Sequence, residues 1–225
     1  MNKEWSELNK QMQEQLKHKD TFESGIVTLL ELRNSLFKSL SELKATLSNE
    51  QFSEMPFANA KGYHNKTIAY SIWHIARIED IVAHTIITAD RQVLFSGDWQ
   101  TKIHSPIITT GNELVTDEIK EFSQQLNIDA LYEYAKAVKA TTEKLLKTLS
   151  FADLKIKISP KARQRVIDCR CVSYDENAVW LIDYWCSKNI KGLIQMPFSR
   201  HLIMHIEASI RIADRLCKNQ NRNFS

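Results

Sequence analysis

Residues 67–88 read TIAYSIWHIARIEDIVAHTIIT, and apolar side chains occupy most of the circumference when this stretch is wound at 3.6 residues per turn. A helix of that kind is buried among other helices, so it predicts the central element of an all-α fold. Three other segments can surround it. Residues 21–47 carry Phe22, Ile26, Leu29, Leu32, Leu36, Leu40, Leu43 and Leu47 at steps of three and four, which is one apolar stripe on a helix. Asp20 followed by Glu23 has the form of a capping box at its start. Residues 128–149 repeat the pattern through Leu131, Tyr134, Val138, Leu145 and Leu149, with Lys136, Lys139, Glu143 and Lys147 facing outward. Residues 198–217, with Pro197 just upstream, make the fourth long helix.

The connections are long. Met55-Pro56-Phe57 and Lys61-Gly62-Tyr63 separate the first two helices, and residues 89–111, with Gly97, Pro106 and Gly111, predict a crossover loop. Short helices are expected at 115–126 and 177–188, and residues 4–17 predict a short polar helix of low stability. Residues 154–158 alternate as a strand would, but Ser159-Pro160 is an N-cap and first-turn pair, which favours a short helix there. Five glycines and four prolines are too few turn residues for an all-β chain of 225 residues, and 43% hydrophobic residues suffice for a sizeable core. With no linker or composition break, one domain over 1–225 is expected.

Thirty basic and 27 acidic side chains leave a formal charge of +3, which implies no general attraction to nucleic acid or to a membrane. The basic stretch of Lys155, Lys157, Lys161, Arg163, Arg165 and Arg170 reads as a solvated face. The N-terminal residues are polar and no apolar run is long enough for a membrane span, so a cytoplasmic location is expected. Cys169, Cys171, Cys186 and Cys217 lack the spacing of redox or zinc-ribbon motifs and read as reduced, mostly buried thiols.

The chemistry lies in the histidines. On the last helix Arg200, Glu207, Arg211, Asp214 and Arg215 share one charged sector, whereas His201 and His205 align with Ala208, Ile212 and Leu216 toward the interior. Two imidazoles four residues apart on one helix face suit a shared metal ion, which a third ligand would hold firmly. His74 is the best third ligand, since it lies beside Ser71, Ile78, Ile81 and Thr85 and away from a polar side assigned to Arg77, Asp80 and His84. His84, His104, His64 and His18 lack the inward setting. The competing reading of each histidine is a hydrogen-bonded core residue.

Ser71-Ile-Trp-His74-Ile-Ala-Arg-Ile-Glu-Asp80 and Met196-Pro-Phe-Ser-Arg-His201-Leu-Ile-Met-His205 resemble the two signature regions of the DinB family, the DinB/YfiT-like metalloenzyme superfamily. The likeness follows helix order over nearly the whole chain, but only these two regions are specific. It implies an up-down-down-up four-helix bundle with long crossover connections and short extra helices. It also implies a divalent metal, commonly zinc or nickel, on His74, His201 and His205. Where many members follow the second His of the pair with Arg-Gly-Gln, this chain has Ile206-Glu207-Ala208, so a substrate contact there does not carry over.

Three neutral imidazoles leave a divalent ion an open position, the arrangement of catalytic rather than structural sites. The expected activity is that of a metal-dependent transferase or hydrolase on a small-molecule substrate, and the family resemblance adds a low-molecular-weight thiol cosubstrate. The alternative is a non-catalytic helical module, with a structural metal or none, that serves dimerisation or a protein partner. The apolar excess on the helices raises a homodimer in either case. Glu79, Asp80 and Asp183 are the acid or base candidates, each with a salt bridge or solvated face as the competing role. Trp180, Tyr184 and Trp185 read as core packing in preference to a substrate wall.

Overall fold

The computed structural model describes residues 2–223, with side chains to residue 219. Two helices open the chain, α1 (Lys3–Gln15) and α2 (Phe22–Thr46). The first is no marginal polar helix. Trp5 and Met12 are buried, as is Leu16 just after its end, and with Leu8 they form a stripe packed on α2. Trp5 Nε1 donates to Ser35 Oγ at 2.9 Å, and the Asn2 side chain caps the helix by accepting from Trp5 N. A polar average concealed four apolar residues at helical spacing. Gly25 lets the two helices approach, since a Cβ there would lie 2.9 Å from Leu16 Cδ2.

The central helix α3 (Ile68–Asp80) starts at Thr67, whose Oγ1 accepts from Tyr70 N, and every one of its residues is buried. It continues as a π-helical turn over Ile81–Thr88 and ends at Ala89 in the left-handed region, φ 60°. The expected crossover loop contains two short helices, α4 (Val93–Ser96) and α5 (Trp99–Ile103). A distant residue starts the first of them: the Asp80 carboxylate accepts from Val93 N at 2.8 Å and Leu94 N at 3.0 Å. No local signal in 89–111 could reveal that cap.

α6 (Thr116–Gln125) and α7 (Ile128–Thr148) follow, the latter capped by Asn127. Next come α8 (Pro160–Asp168), α9 (Glu176–Cys186) and α10 (Ile190–Gln195), then a π turn over Met196–Arg200 and α11 (His201–Asn223). Ser159 Oγ caps α8 as expected from Ser159-Pro160, and the alternating 154–158 stretch contributes only an isolated bridge, Lys157 to Asn189. Arg165 is only partly solvated. It donates to the Thr85 and Ile86 carbonyls, which the π turn leaves open.

The fold is all-α. α3 packs against α7 and α11, and α2 against α1, α7 and α11. No helix among the described residues is long and apolar enough to cross a membrane.

The polar side expected on α3 is also buried. Arg77, with no exposed surface, donates to Asp80, the Tyr134 hydroxyl, the Gln92 side chain and the Ile108 carbonyl. Glu79 receives both ends of the Arg33 guanidinium at 3.0 and 2.6 Å, and Arg33 also donates to Phe198 O within the second π turn. These charges are affordable inside because every one is paired and hydrogen-bonded. They join α2, α3 and the entry to α11 at fixed register, which is what the site requires.

Candidate metal centre

Pro197 lies in the π turn that precedes α11; it has no N–H to donate to a regular helical ladder. That turn, held by Arg33 at Phe198 O and by the Ser199 hydroxyl on Ile194 O, delivers His201 as the first residue of α11. His205 follows one turn later on the same face. From the opposite side α3 presents His74. The ring centroids are 5.0 Å apart for His74 and His201, 4.8 Å for His74 and His205, and 4.7 Å for His201 and His205. One nitrogen from each ring lies within 4.8 Å of the other two, close enough to hold one metal ion. Among the described residues no other group of three or more His, Cys, Asp or Glu side chains converges in this way.

His74 is oriented by a backbone segment laid along α3. Tyr70, Trp73, His74 and Arg77 bond in turn to the carbonyls of Gly111, Thr109, Thr110 and Ile108, four consecutive residues. His74 Nδ1–H donates to Thr110 O at 2.8 Å, which assigns the proton to Nδ1 and leaves the Nε2 lone pair facing the other two rings. Tyr70 stacks on the same imidazole, 5.5 Å between centroids and 10° between planes. Gly111, at φ 78°, turns the segment, and a Cβ there would meet the Tyr70 ring at 3.0 Å.

The geometry fits a metal. His74 Nε2 and His201 Nε2 are 3.2 Å apart. Two nitrogens bound at roughly 2.0–2.1 Å to a tetrahedral ion would be separated by about 3.3 Å. The Nδ1 atom of His205 is buried without a hydrogen-bond partner, as is that of His201, which is not the ring nitrogen that faces His74. Burial lowers the His74 pKa to about 4, against the opposing pull of the Thr110 carbonyl. Burial, and then the neighbouring rings, hold His201 and His205 well below the usual imidazole range. All three rings are therefore neutral near pH 7, the state in which imidazole can act as a ligand.

A cavity of about 250 Å³ opens onto the three rings. Trp180, Tyr184 and Trp185 line it together with Leu181 from the same helix, so the aromatic cluster is a wall and not core packing alone. Trp185 serves both, being 1% exposed, whereas Trp180 is 49% exposed. The sequence reading missed Tyr63, whose ring meets His205 edge-on at 4.8 Å, and Asn112, which also lines the cavity. Both lie in connections, where no periodicity points to a site.

The acid and base candidates do not reach it. Glu79 and Asp80 are committed to Arg33 and Arg77, and Asp183 is exposed with Arg163 at 2.9 Å. His84, expected to lack an inward setting, is buried, but its ring is bound to Asp90 at 2.6 Å and Thr141 at 3.0 Å, a separate structural network. His64 bonds to Arg211 at 3.1 Å, and His18 is exposed near Glu14.

No family model and no curated protein sequence matches the chain. Its fold is similar to a crystal structure of a conserved protein from Enterococcus faecalis, with a TM-score of 0.54 at 16% identity, covering 80% of this chain and 89% of that one.

Proposed function

We propose that this chain is a DinB-like metalloenzyme in which α2, α3, α7 and α11 form the four-helix bundle and His74, His201 and His205 hold a divalent ion, zinc or nickel. The observation that carries this reading is the convergence of three buried, neutral imidazoles on one point at the floor of a cavity. Bound there, the ion would supply Lewis acidity at an open position, where a water or a thiol is more readily deprotonated.

The chain's own residues divide the remaining work. Thr110 O and the Tyr70 ring fix His74, and the π turn at Met196–Arg200 sets the register of the other two ligands. The lining of the cavity contains no Asp or Glu, so no carboxylate base stands ready to activate a water. Among the expected activities this favours transfer involving a low-molecular-weight thiol, which loses its proton more easily than water, over base-assisted hydrolysis. A cavity of about 250 Å³ suits a small-molecule substrate.

The test is metal analysis with X-ray absorption on protein purified without a histidine tag. One ion per chain on three nitrogen donors plus a light or sulfur ligand is expected. His201→Ala and His205→Ala should each lose the ion while circular dichroism stays helical. Metal-free protein that resists loading, or a closed four-residue site, would leave the non-catalytic module as the reading.

A further inference from the structure

Around the three imidazoles the cavity is lined by Tyr63, Trp180, Tyr184, Trp185, Met196 and Ile78 among others, and none of its lining residues is Asp, Glu, Lys or Arg. Its polar side-chain groups are few: the histidines, Asn112, the tyrosine hydroxyls and the indole N–H groups. The Trp180 indole N–H is already used, donating to Asn177 O at 2.9 Å. What that side chain offers is therefore its apolar ring, which packs edge-to-face on Tyr184, 5.7 Å between centroids, and is half exposed. Tyr63 across the histidines is 38% exposed. Large aromatic rings left open to solvent at a concave site mark a surface that a ligand covers.

We infer that the ligand of this cavity has a flat, uncharged apolar body and a single sulfur or oxygen donor directed at the three imidazoles. The inference rests on the metal reading for the donor end and on the cavity lining for the body. Lys66 and Arg200 act on the rings of the site only from outside its lining, so a second charge on the ligand would lie directly against apolar walls, at a cost in desolvation. An apolar ring removes the exposed faces of Trp180 and Tyr63 from water. Trp180 is thereby a specificity-determining residue.

The experiment compares two thiols of similar acidity on the cobalt-loaded protein, benzyl mercaptan and 2-mercaptoethanesulfonate, by titrating the sulfur-to-cobalt absorption band. Benzyl mercaptan should bind at least about ten-fold more tightly, the selectivity expected for covering one ring. Trp180→Ala should remove most of that preference without loss of cobalt, and Trp180→Phe should restore it. Equal affinities, preference for the sulfonate, or an unchanged preference in Trp180→Ala would overturn the inference. If cobalt does not load, the metal reading fails instead. The apolar half is then read by tryptophan fluorescence of the metal-free protein, where a saturable response to benzyl mercaptan that Trp180→Ala weakens supports it and no saturable response overturns it.

Discussion

Replacing Asp80 with Asn should destabilise this protein more than any exposed change of the same size. The Asp80 carboxylate has no exposed surface and accepts four bonds: Arg77 Nη1 at 3.0 Å, the Tyr134 hydroxyl at 2.8 Å, and the backbone N–H groups of Val93 and Leu94 at 2.8 and 3.0 Å. An amide in its place has one oxygen, and either flip sets its NH₂ against at least one of these donors. Arg77, equally buried, would also lose its only acidic partner among the described residues. Breaking a buried pair from one side costs about 3–5 kcal/mol. For a chain of this length that corresponds to a fall in Tm of roughly 6–20 °C. Urea unfolding followed by circular dichroism measures it. Arg77→Met combined with Asp80→Asn should cost less than the sum of the single changes, because the stranded charge is gone. A loss below about 1 kcal/mol for Asp80→Asn, or strict additivity in the pair, would refute the assignment of this network as a satisfied buried ion pair.

Two other outcomes follow from the site. Metal-free protein should lose stability in acid: an unfolded histidine titrates near pH 6.5 while folded His74 titrates at about 4, so the unfolded state binds more protons between these values. Stability is thus full above about pH 6.5 and falls as the pH is lowered toward 4, by roughly 3 kcal/mol for His74 alone; denaturant midpoints that stay level over that window would contradict it. Gly111→Ala should cost about 1–2 kcal/mol, since its φ of 78° disfavours a Cβ and the added carbon would press on Tyr70. It should also weaken metal binding through the displaced Thr110 carbonyl, and isothermal titration of zinc would reveal unchanged affinity if that link is wrong.

The histidine triad was legible in the sequence because helical periodicity states which side chains share a face, and His201 and His205 share theirs with Ala208 and Ile212. The long helices were legible for the same reason. Periodicity fails where a side chain's surroundings come from another part of the chain. Glu79 and Asp80 read as salt-bridge partners or a solvated face, and they are salt-bridged, but periodicity could not show that Arg33, Tyr134 and the 93–94 backbone reach this side of α3 from distant segments and make its burial tolerable. Tyr63 and Asn112 carry no signal in the local pattern, and Trp180 reads as packing by residue type, whereas the position of α9 makes it part of the cavity wall beside the histidines. Local pattern determined which groups could ligate a metal. Only the tertiary structure decided what surrounds them, because the walls of the cavity, the Thr110 carbonyl and the buried ion pairs are contacts between residues far apart in the chain.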